Sequence, residues 1–493
     1  MGIETENMMF DIKIAAYLLN SSQSKYLLAD LASDYLGLEN PVEQEKSQKK
    51  QMSLFEELEE DHSEDYFSTY AIGKLYPVLC QKMKESETWS LFETIEMPLA
   101  PVLAQMQYNG MYIDQEELKT YGKELQAKIQ ALTQEIYQLS GCTFNVNSTK
   151  QLGEVLFEKL KLPVYKKTKS GYSTDVEILE KLREEHPIIE KILEYRQLNK
   201  LNSTYVEGML PYINPVTHRI HSYFHQTVTT TGRISSTEPN MQNIPTRFEA
   251  GKMLRKVFKA ENDNVFLDAD YSQIELRIFA HISNDPEMIS AFQQDEDIHA
   301  QVAAKVFHMD IKDVTPALRS KAKAVNFGIV YGISDFGLSQ QLGVPRKEAK
   351  AYIDEYLKKY SGIRDFMEKI PEKAKEDGYA QTLFKRRRYI PELHSKNYNV
   401  RQFGIRAAMN TPIQGTAADI IKLAMIHVEQ ALKEQNLKSK LVLQVHDELM
   451  IETVPEEKEK IQEILKECME NVIQLSVPLK VEIGEGKNWY ESK

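Results

Sequence analysis

The sequence of 493 residues contains few cysteines and no long apolar segment. Cys80, Cys142 and Cys468 are widely spaced and match neither a zinc-binding pattern nor a disulfide framework, so we expect core thiols. No apolar run approaches the roughly 18 residues that a membrane span requires. The first residues also lack the charged, apolar and small-residue order of a secretory signal. We therefore expect no membrane contact and a cytoplasmic location.

The sequence also lacks a Walker-type glycine loop, a dinucleotide-binding fingerprint and internal repeats. A net charge of −12 would disfavour nucleic-acid binding, but residues 39–65 hold ten acidic residues and only three lysines. This polar stretch predicts a linker or insertion, and it carries more than half of the net charge. Two basic segments, 161–172 and 385–389, are interpreted as solvated surface, with phosphate contact as the alternative.

Residues 265–282 (VFLDADYSQIELRIFAHI) begin with the pattern of a buried strand and end with that of a helix. Asp270 therefore lies where a strand ends, although an ordinary turn or helix-capping residue has the same pattern. Residues 441–454 predict a β-hairpin with Asp447 and Glu448 at its tip. If the two strands are neighbours, these carboxylates converge and can hold two divalent cations about 3.5–4 Å apart.

Residues 319–332 (RSKAKAVNFGIVYG) predict a helix that carries two cations and two aromatic rings on one face. This order suits a nucleoside triphosphate, with phosphates at one end and a base at the other. The alternative is an amphipathic helix with snorkelling cations. Gly328 and Gly332 lower helix stability and indicate that another group approaches closely. The stripe consists of Arg319, Lys323, Phe327 and Tyr331.

Apolar spacing outlines the rest of the chain. Residues 8–38 predict packed helices, and the region from Trp89 to about Met209 is mostly helical with a lysine-rich loop at 163–175. Shorter elements follow up to Ala260. Helical spacing then returns over residues 286–380. This order predicts a mixed fold in which helical regions flank the two acid-bearing strands.

Five segments in this order resemble the motifs of the family-A DNA polymerases. They are TTTGRISSTEPNMQNIP (229–245), DYSQIELR (270–277), RSKAKAVNFGIVYG (319–332), NTPIQGTAADIIK (410–422) and QVHDE (444–448). The resemblance implies an α+β multidomain, right-hand fold with an antiparallel palm sheet and helical fingers and thumb. The implied domains are a truncated 3′–5′ exonuclease-like remnant (1–92, with the acidic linker 39–65), thumb (93–204), palm (205–285 and 411–493) and fingers (286–410).

The resemblance also implies a function and a set of acting residues. The chain would be a DNA polymerase of replication and repair, associated with the nucleoid and monomeric. It would use two Mg²⁺ ions, with Mn²⁺ as a substitute, and would bind primer–template DNA and dNTPs. Asp270, Asp447 and the Tyr271 backbone carbonyl would bind metal, with Glu448 and Lys323 as further catalytic residues. The dNTP would be bound by Arg319, Lys323, Phe327, Tyr331, His299, Glu275 and Gln273.

DNA contacts follow from the same resemblance. The side chains that would contact the primer terminus, template and backbone are Arg233, Asn240, Asn243, Asn410, Gln414, His446, Arg196, Lys200, Asn145 and Ser148. Glu275 would exclude a 2′-OH, so deoxynucleotides would be selected. Phe327 lacks the hydroxyl that favours dideoxy sugars, so we expect chain terminators to be poor substrates.

The N-terminal part departs from the family pattern. Asp11 is similar to one metal-binding acid of the exonuclease, but the upstream acid pair is absent, and Tyr66 and Tyr70 stand in the Tyr-x-x-x-Asp motif without its acid. One carboxylate cannot hold two metals, so we expect no proofreading, and we also expect no 5′ nuclease. Asp268 is a second departure, interpreted as a solvent-facing bystander, with an effect on metal preference as the alternative.

One short segment predicts a further partner. QMSLF resembles the peptides by which replication proteins dock on the sliding clamp, through Gln51, Leu54 and Phe55. A chance match is the alternative. Three alternative functions are less consistent with the residues. Glu275 and Phe327 argue against a single-subunit RNA polymerase, the retained acids Asp270 and Asp447 argue against an inactive DNA-binding protein, and a nuclease lacks partners for Asp11.

Overall fold

The computed structural model describes residues 9–39, 63–168, 171–246 and 248–493. A four-stranded antiparallel sheet lies at its centre, and short two-stranded pairs surround it. The strands are β1 (Met111–Tyr112), β2 (Lys167–Thr168), β3 (Gly171–Tyr172), β4 (Arg219–Ile220), β5 (Tyr223–His225), β6 (Ser235–Thr237), β7 (Val265–Tyr271), β8 (Tyr379–Gln381), β9 (Arg387–Tyr389), β10 (Lys440–Val445), β11 (Glu448–Thr453) and β12 (Val481–Gly486).

Helices make up most of the remaining structure. They are α1 (Ile12–Leu19), α2 (Leu28–Leu36), α3 (Ser63–Glu85), α4 (Met97–Asn109), α5 (Gln115–Ser140), α6 (Thr149–Gly153), α7 (Val176–Lys181), α8 (Ile188–Lys200), α9 (Glu249–Leu254), α10 (Ile274–Ser283), α11 (Pro286–Gln293), α12 (Ile298–Val306), α13 (Pro316–Val330), α14 (Asp335–Leu342), α15 (Arg346–Lys359), α16 (Ser361–Asp377), α17 (Tyr398–Glu434) and α18 (Lys458–Glu470). Wider π-helical turns at Phe92–Glu96, Glu154–Lys159 and Leu201–Glu207 adjoin α4, α6 and α8.

The ends of the helices follow from local sequence. Asp114 caps α5 by accepting a hydrogen bond from the Glu117 amide, and Gly141 ends it with a φ of 65°. Thr315 caps α13, and Pro316 occupies its first turn, where a missing amide proton costs nothing. The helix predicted at 319–332 is therefore confirmed within a few residues.

The central sheet has the order β10–β11–β7–β12. β10 and β11 form the predicted hairpin, and β11 pairs with β7 in antiparallel register. Helix α18 packs on β7 and β12, which are largely apolar on the face turned towards it. The two strands predicted to carry acids are thus direct neighbours in one sheet.

The described residues contain a large core around this sheet and a second core in an N-terminal lobe, here defined as residues 9–39 and 63–97. The lobe packs Tyr17, Leu31, Leu75 and Phe92 together. Its outer helix α3 leaves Tyr66 and Tyr70 exposed, so this face of the lobe is poorly covered. None of the described helices is both long and apolar enough to cross a bilayer.

A cluster of four buried charges joins the lobe to the rest of the molecule. We call Glu96, Arg386, Asp419 and Lys422 the ion-pair cluster. Arg386 bonds to both acids, and Lys422 Nζ lies 2.6 Å from Glu96 Oε1. Because Arg386 is only 2% exposed, interpreting the 385–389 segment as solvated surface is wrong for this residue.

Two other expectations need correction or fall outside the described residues. The three cysteines are free but only partly buried, so they are not core thiols. The lysine-rich loop at 163–175 contains the small hairpin β2–β3. The segment with Gln51, Leu54 and Phe55, and most of the acidic linker, lie outside the described residues.

Candidate active site

Four acidic side chains gather at one end of the β7–β11 pair, and we call Asp268, Asp270, Asp447 and Glu448 the carboxylate face. The register sets Asp270 directly opposite Glu448 and Asp268 opposite Met450. Asp268 and Asp270 share one face because side chains alternate along a strand. Asp447 lies in the hairpin turn, where its carbonyl accepts a hydrogen bond from the Tyr271 amide at 3.2 Å.

The hairpin turn holds its acid in place through backbone geometry. His446 has a φ of 53°, in the left-handed region, so the chain reverses directly before Asp447. Gln444 supports the turn, since its side-chain amide donates to the His446 carbonyl at 2.6 Å. Tyr271, at the end of β7, is fixed by its hydroxyl, which donates to the Met469 carbonyl at 2.7 Å.

Burial and mutual repulsion make the carboxylate face electrostatically unfavourable. Burial, reinforced by the neighbouring Asp270, raises the pKa of Asp447 to about 7. Burial also raises the pKa of Asp270 and of Glu448. Lys493 opposes these shifts, because its Nζ contacts Glu448 Oε2 and lies 3.7 Å from Asp270 Oδ2. Within the described residues this cluster has more negative than positive charge.

Asp268 is buried, so interpreting it as a solvent-facing bystander is wrong. It is 2% exposed, and neither carboxylate oxygen has a hydrogen-bond partner among the described residues. Burial, then repulsion from Glu448, raises the pKa of Asp268 to about 8. A strand with one buried face placed this side chain inward, where alternation alone could not say which face was covered.

The carboxylate face fits divalent cations as an incomplete site. Among the described residues, no three His, Cys, Asp or Glu side chains form a ready-made metal cage. Asp270 and Asp447 nevertheless lie at adjoining strand ends, and Glu448 keeps a buried, unpaired Oε1. Mg²⁺ is commonly held by one or two carboxylates and completed by substrate phosphates and water. These residues fit that kind of site.

Helix α13 carries the predicted stripe, and its Phe327 lines the same cavity as Asp447. The Phe327 and Tyr331 rings stack with centroids 6.3 Å apart, and Lys323 Nζ lies 5.9 Å from the Phe327 centroid. Tyr331 follows the last helical residue, and Gly332 then turns the chain with a φ of 70°. This left-handed φ itself favours glycine, and a Cβ there would also lie 2.4 Å from Met409 Cε, at the flexible end of a side chain of α17.

Glu275, in the first turn of α10, links Tyr331 at the end of α13 to Arg233. Glu275 Oε1 accepts from Arg233 Nη2 at 2.7 Å, and its other oxygen accepts from the Tyr331 hydroxyl. A cavity of about 310 Å³ opens at this point, a volume on the scale of a small ligand. It is lined by Arg233, Gln273, Ile274, Glu275, Phe327, Ala417, Ala418, His446 and Asp447.

Two other residues predicted to contact the nucleotide are engaged within the protein. Arg319 is exposed, and its Nε lies 2.5 Å from Asp297 Oδ2. His299 is 2% exposed, and its Nδ1 is 2.8 Å from Asn326 Nδ2. Burial and the nearby Arg319 lower the pKa of His299 to about 4, so the ring is neutral at pH 7. Contact of His299 with a triphosphate would require the ring to be uncovered.

The predicted DNA-contacting residues fall into separate groups. Lys200, Asn240 and Asn243 line one groove of about 500 Å³ between α8 and the β6 region. Arg233 and His446 line the cavity beside Asp447, and Gln414 lies near the Tyr331 hydroxyl. Asn410 has a buried Oδ1 with no partner among the described residues. Lys200, Asn240, Asn243, Arg233 and His446 therefore line cavities that are open to a ligand.

Three others are used locally. Arg196 donates to the carbonyl of Thr174 and, at 3.0 Å, to its hydroxyl. Ser148 caps α6, and Asn145 stabilises the loop before it. All three side chains therefore have structural roles within the protein, and their contacts with DNA stay predictions.

The sequence did not predict three charged residues that lie around the carboxylate face, namely the cations Lys493 and Arg255 and the acid Glu482. Lys493 comes from a segment anchored by Trp489, which is fully buried against Phe258. Arg255 stacks on Trp489 with 4.0 Å between its Cζ and the ring centroid, and its charge faces Asp268 and Glu448. Glu482 lies opposite Asp270 on β12. The sequence contained one signal for the position of this C-terminal segment: Gly484 and Gly486 on β12 leave room for another segment to pack closely against the strand.

Comparison with known proteins identifies the family of this chain. The model of DNA polymerase family A matches residues 115–491. The chain belongs to DNA polymerase family A. It is 50% identical over 483 residues to DNA polymerase I of Caldicellulosiruptor bescii, covering 98% of this chain and 55% of that protein. It is 49% identical over 503 residues to DNA polymerase I of Bacillus subtilis, covering 100% and 56%. This family-A chain therefore spans about half the length of the curated relatives it matches.

A solved structure supports the family-A fold directly. The polymerase domain of Pol1 from M. smegmatis, in complex with a DNA primer-template and dNTP, superimposes with a TM-score of 0.90 at 40% identity. The match covers 98% of this chain and 82% of that one. The predicted α+β polymerase fold is confirmed, while the predicted domain boundaries stay predictions.

Proposed function

We propose that this family-A chain is a template-directed DNA polymerase that adds deoxynucleotides from dNTPs to a primer 3′-OH. The observation that supports this best is the register that sets Asp270 opposite Glu448, with Asp447 in the adjoining turn. Helix α13 carries Lys323 and two stacked aromatic rings beside them. Acids for metal, a cation for phosphate and rings for a base are the parts that nucleotidyl transfer needs.

Each group has a distinct task in this proposal. Asp270, Asp447 and the Tyr271 carbonyl would hold two Mg²⁺, or Mn²⁺, with Glu448 in support. When bound, such ions lower the pKa of the primer hydroxyl and neutralise the leaving pyrophosphate. Lys323, together with Arg319 and a re-exposed His299, would bind the triphosphate. Because burial and mutual repulsion raise the pKa of Asp447 and Asp268, a bound cation would relieve the carboxylate face.

Selection of the sugar is assigned to Glu275. Its carboxylate is fixed by two donors, Arg233 and Tyr331, at the wall of the cavity. A fixed anion there would exclude a 2′-OH by size and by lack of a good hydrogen-bonding geometry. Gln273, in a left-handed conformation before α10, has a buried Oε1 with no partner among the described residues and would contact the same ligand.

Phe327 carries a separate prediction about chain terminators. Phe327→Tyr adds one hydroxyl to a half-buried ring that already faces the cavity. We expect incorporation of dideoxynucleotides relative to deoxynucleotides to rise by at least about tenfold, since one hydrogen bond to a charged group contributes about 1.5–3 kcal/mol. The measurement is kcat/KM for both nucleotides with each enzyme. Efficient use of terminators by the unmodified protein would contradict the prediction.

DNA would be held by the two surfaces described above. The groove with Lys200, Asn240 and Asn243 would take the backbone and template, since these residues place one cation and two amides along it. Arg233, Gln414, Asn410 and His446 would contact the primer end near Asp447. Arg196, Asn145 and Ser148 would add contacts from the helical region before α8.

We also propose that the chain lacks proofreading. The Asp11 carboxylate accepts a hydrogen bond from the Ile14 amide at 2.8 Å and so acts as a helix cap. Tyr66 and Tyr70 are exposed on α3 and provide no carboxylate. A role in replication and repair, a monomeric state and docking of residues 51–55 on a sliding clamp stay separate predictions. A pull-down with purified clamp, repeated with Leu54→Ala/Phe55→Ala, tests the last.

One assay tests the main proposal and its rivals. A labelled primer–template is extended with dNTPs or NTPs and Mg²⁺, using a paired or a mismatched 3′ end. We expect template-dependent extension with dNTPs, little with NTPs, and no removal of the mismatched nucleotide. Preferential use of NTPs would support the RNA polymerase interpretation. Absence of extension by intact, DNA-binding protein would support an inactive accessory protein, and shortening of the primer would support a nuclease.

A further inference from the structure

The N-terminal lobe is hydrogen-bonded to a loop at the edge of the nucleotide site, residues 229–233. The Tyr17 hydroxyl of α1 donates to the Thr229 carbonyl at 2.7 Å, and the Ser21 hydroxyl donates to the Thr230 carbonyl at 3.4 Å. Tyr17 is completely buried. Burial raises its pKa to about 12, so the hydroxyl remains a donor at neutral pH. Two consecutive carbonyls of the loop are therefore held by the lobe.

The loop transmits this attachment to Arg233. The Thr229 hydroxyl donates to the Arg233 carbonyl at 2.7 Å, so the two ends of the loop are joined. Gly232 has a φ of 86°, and a Cβ there would lie 2.5 Å from Arg386 Nε. Since Arg386 is fixed in the ion-pair cluster, the loop has little room to move on that side.

Arg233 in turn fixes Glu275. Its Nη2 donates to Glu275 Oε1 at 2.7 Å, and the Glu275 side chain is 12% exposed. A shift of the loop by less than an ångström would lengthen this hydrogen bond, since such bonds weaken steeply outside their normal geometry. The chain of contacts from Tyr17 to Glu275 is thus continuous and passes through a single loop.

We propose that Tyr17 is a positioning residue for sugar selection: the N-terminal lobe, through Tyr17 and Ser21, fixes the 229–233 loop and thereby the Arg233–Glu275 pair. This inference rests on the proposed role of Glu275 in excluding ribonucleotides. It gives residues 9–39 a function in synthesis that does not depend on nuclease chemistry. The lobe acts on selectivity through backbone carbonyls and does not touch substrate.

The test is a set of conservative variants with a matched control. Tyr17→Phe removes only the hydroxyl that bonds Thr229. Tyr26→Phe removes a comparable hydroxyl of the same lobe, which donates to the Asn20 carbonyl at 2.6 Å and has no bond to the loop. The Tyr26 ring packs edge-on against Tyr17 with centroids 5.9 Å apart, so both variants perturb the same core. Thermal unfolding of each variant reports the structural cost separately.

The readout is the ratio of kcat/KM for a dNTP to that for the matching NTP. We expect Tyr17→Phe to lower this ratio roughly two- to tenfold, the range to which one hydrogen bond's net contribution converts. Tyr26→Phe should leave the ratio unchanged. In an Arg233→Ala background, Tyr17→Phe should have no further effect, because the group through which it acts is gone.

The outcomes separate this inference from the proposed function. If Glu275→Ala lowers the ratio but Tyr17→Phe does not, the positioning role is overturned and the role of Glu275 stands. Equal effects of Tyr17→Phe and Tyr26→Phe, or additive effects of Tyr17→Phe and Arg233→Ala, also overturn it. If Glu275→Ala leaves the ratio unchanged, the assignment of sugar selection fails and the positioning role fails with it.

Discussion

Two groups of charges in this molecule, one fully buried and one partly exposed, differ in their balance. The ion-pair cluster joins two acids to two cations with short contacts, and all four side chains are almost completely buried. The carboxylate face gathers four acids, and among the described residues Lys493 is the cation in direct contact with it. Burial alone would raise the pKa of Glu96, yet Lys422 and Arg386 lower it to about 2, whereas Asp447 is raised to about 7.

The difference shows how one fold assigns buried charge to structure and to function. A buried ion pair whose partners satisfy each other holds segments in register, although its net contribution to stability is small. A cluster of like charges costs stability and is relieved only by a ligand that brings positive charge. The ion-pair cluster fits the first description, and the carboxylate face fits the second.

Removing one acid from the carboxylate face should produce the largest effect. Asp270→Asn and Asp447→Asn are expected to lower primer extension by about three orders of magnitude, because each removes a metal-binding charge worth several kcal/mol. In metal-free protein the same variants should unfold at an unchanged or higher temperature, because repulsion is relieved. Extension rates and thermal unfolding of the same preparations provide the measurement. Near-normal extension by either variant would remove the basis of the proposed chemistry.

Removing one acid from the ion-pair cluster should have the opposite pattern. Glu96→Gln leaves Arg386 and Lys422 with one acid, and breaking a buried pair in this way costs about 3–5 kcal/mol. Chemical unfolding should show this loss, while the extension rate of the remaining folded protein should change far less than in Asp270→Asn. Lys119→Ala, which breaks an exposed pair with Glu116, is a suitable control. A stability equal to that of the control would contradict the contrast.

The pH dependence of stability should follow the carboxylate face. Asp447 and Asp268 have folded-state pKa values of about 7 and about 8, raised from 3.8. At pH values between 3.8 and these folded-state values, the folded state therefore binds more protons than the unfolded state. Stability of metal-free protein should therefore fall as pH rises from about 6.5 to 8, by at most about 1.4 kcal/mol per pH unit for each group.

Between about pH 6.5 and 8, His299 does not contribute to the slope of stability against pH. His299 has its pKa lowered from 6.5 to about 4, so its contribution rises with pH and is complete above about 6.5. Differential scanning calorimetry with and without Mg²⁺ measures the slope, which Asp268→Asn/Asp447→Asn should flatten. A slope that survives this double change would assign it to other groups.

Asp268 should have the smallest effect of the acids. Above its pKa of about 8, its buried carboxylate adds negative potential behind Asp270, but it ends no strand. At pH 9 we expect Asp268→Asn to change the ratio of Mg²⁺- to Mn²⁺-supported extension only a few-fold, since a charge about 7 Å away interacts with a unit charge by about 2 kcal/mol at an effective dielectric constant near 20 and acts on both ions. Asp268→Ala, which also empties space, separates charge from packing. Identical ratios in all three proteins would make Asp268 a structural residue.

Much of the site could be predicted from the sequence because the signals are local. The strand ending at Asp270, the hairpin with Asp447 and Glu448 and the stripe on α13 each depend on periods of two or four residues. The helix caps at Asp114 and Thr315 are also local. The five motifs in order then identified the family, which the match over residues 115–491 confirmed.

What only the tertiary structure decided depends on which surfaces are covered. Period alone placed Asp268 on the same face as Asp270 but could not say that this position is buried. The basic run around Arg386 has the pattern of solvated surface, yet contacts with Glu96 and Asp419 from distant segments bury it. Lys493 and Tyr17 reach the site through segments more than 200 residues away along the chain. Sequence fixes local geometry, whereas burial and charge pairing are properties of segments brought together by folding.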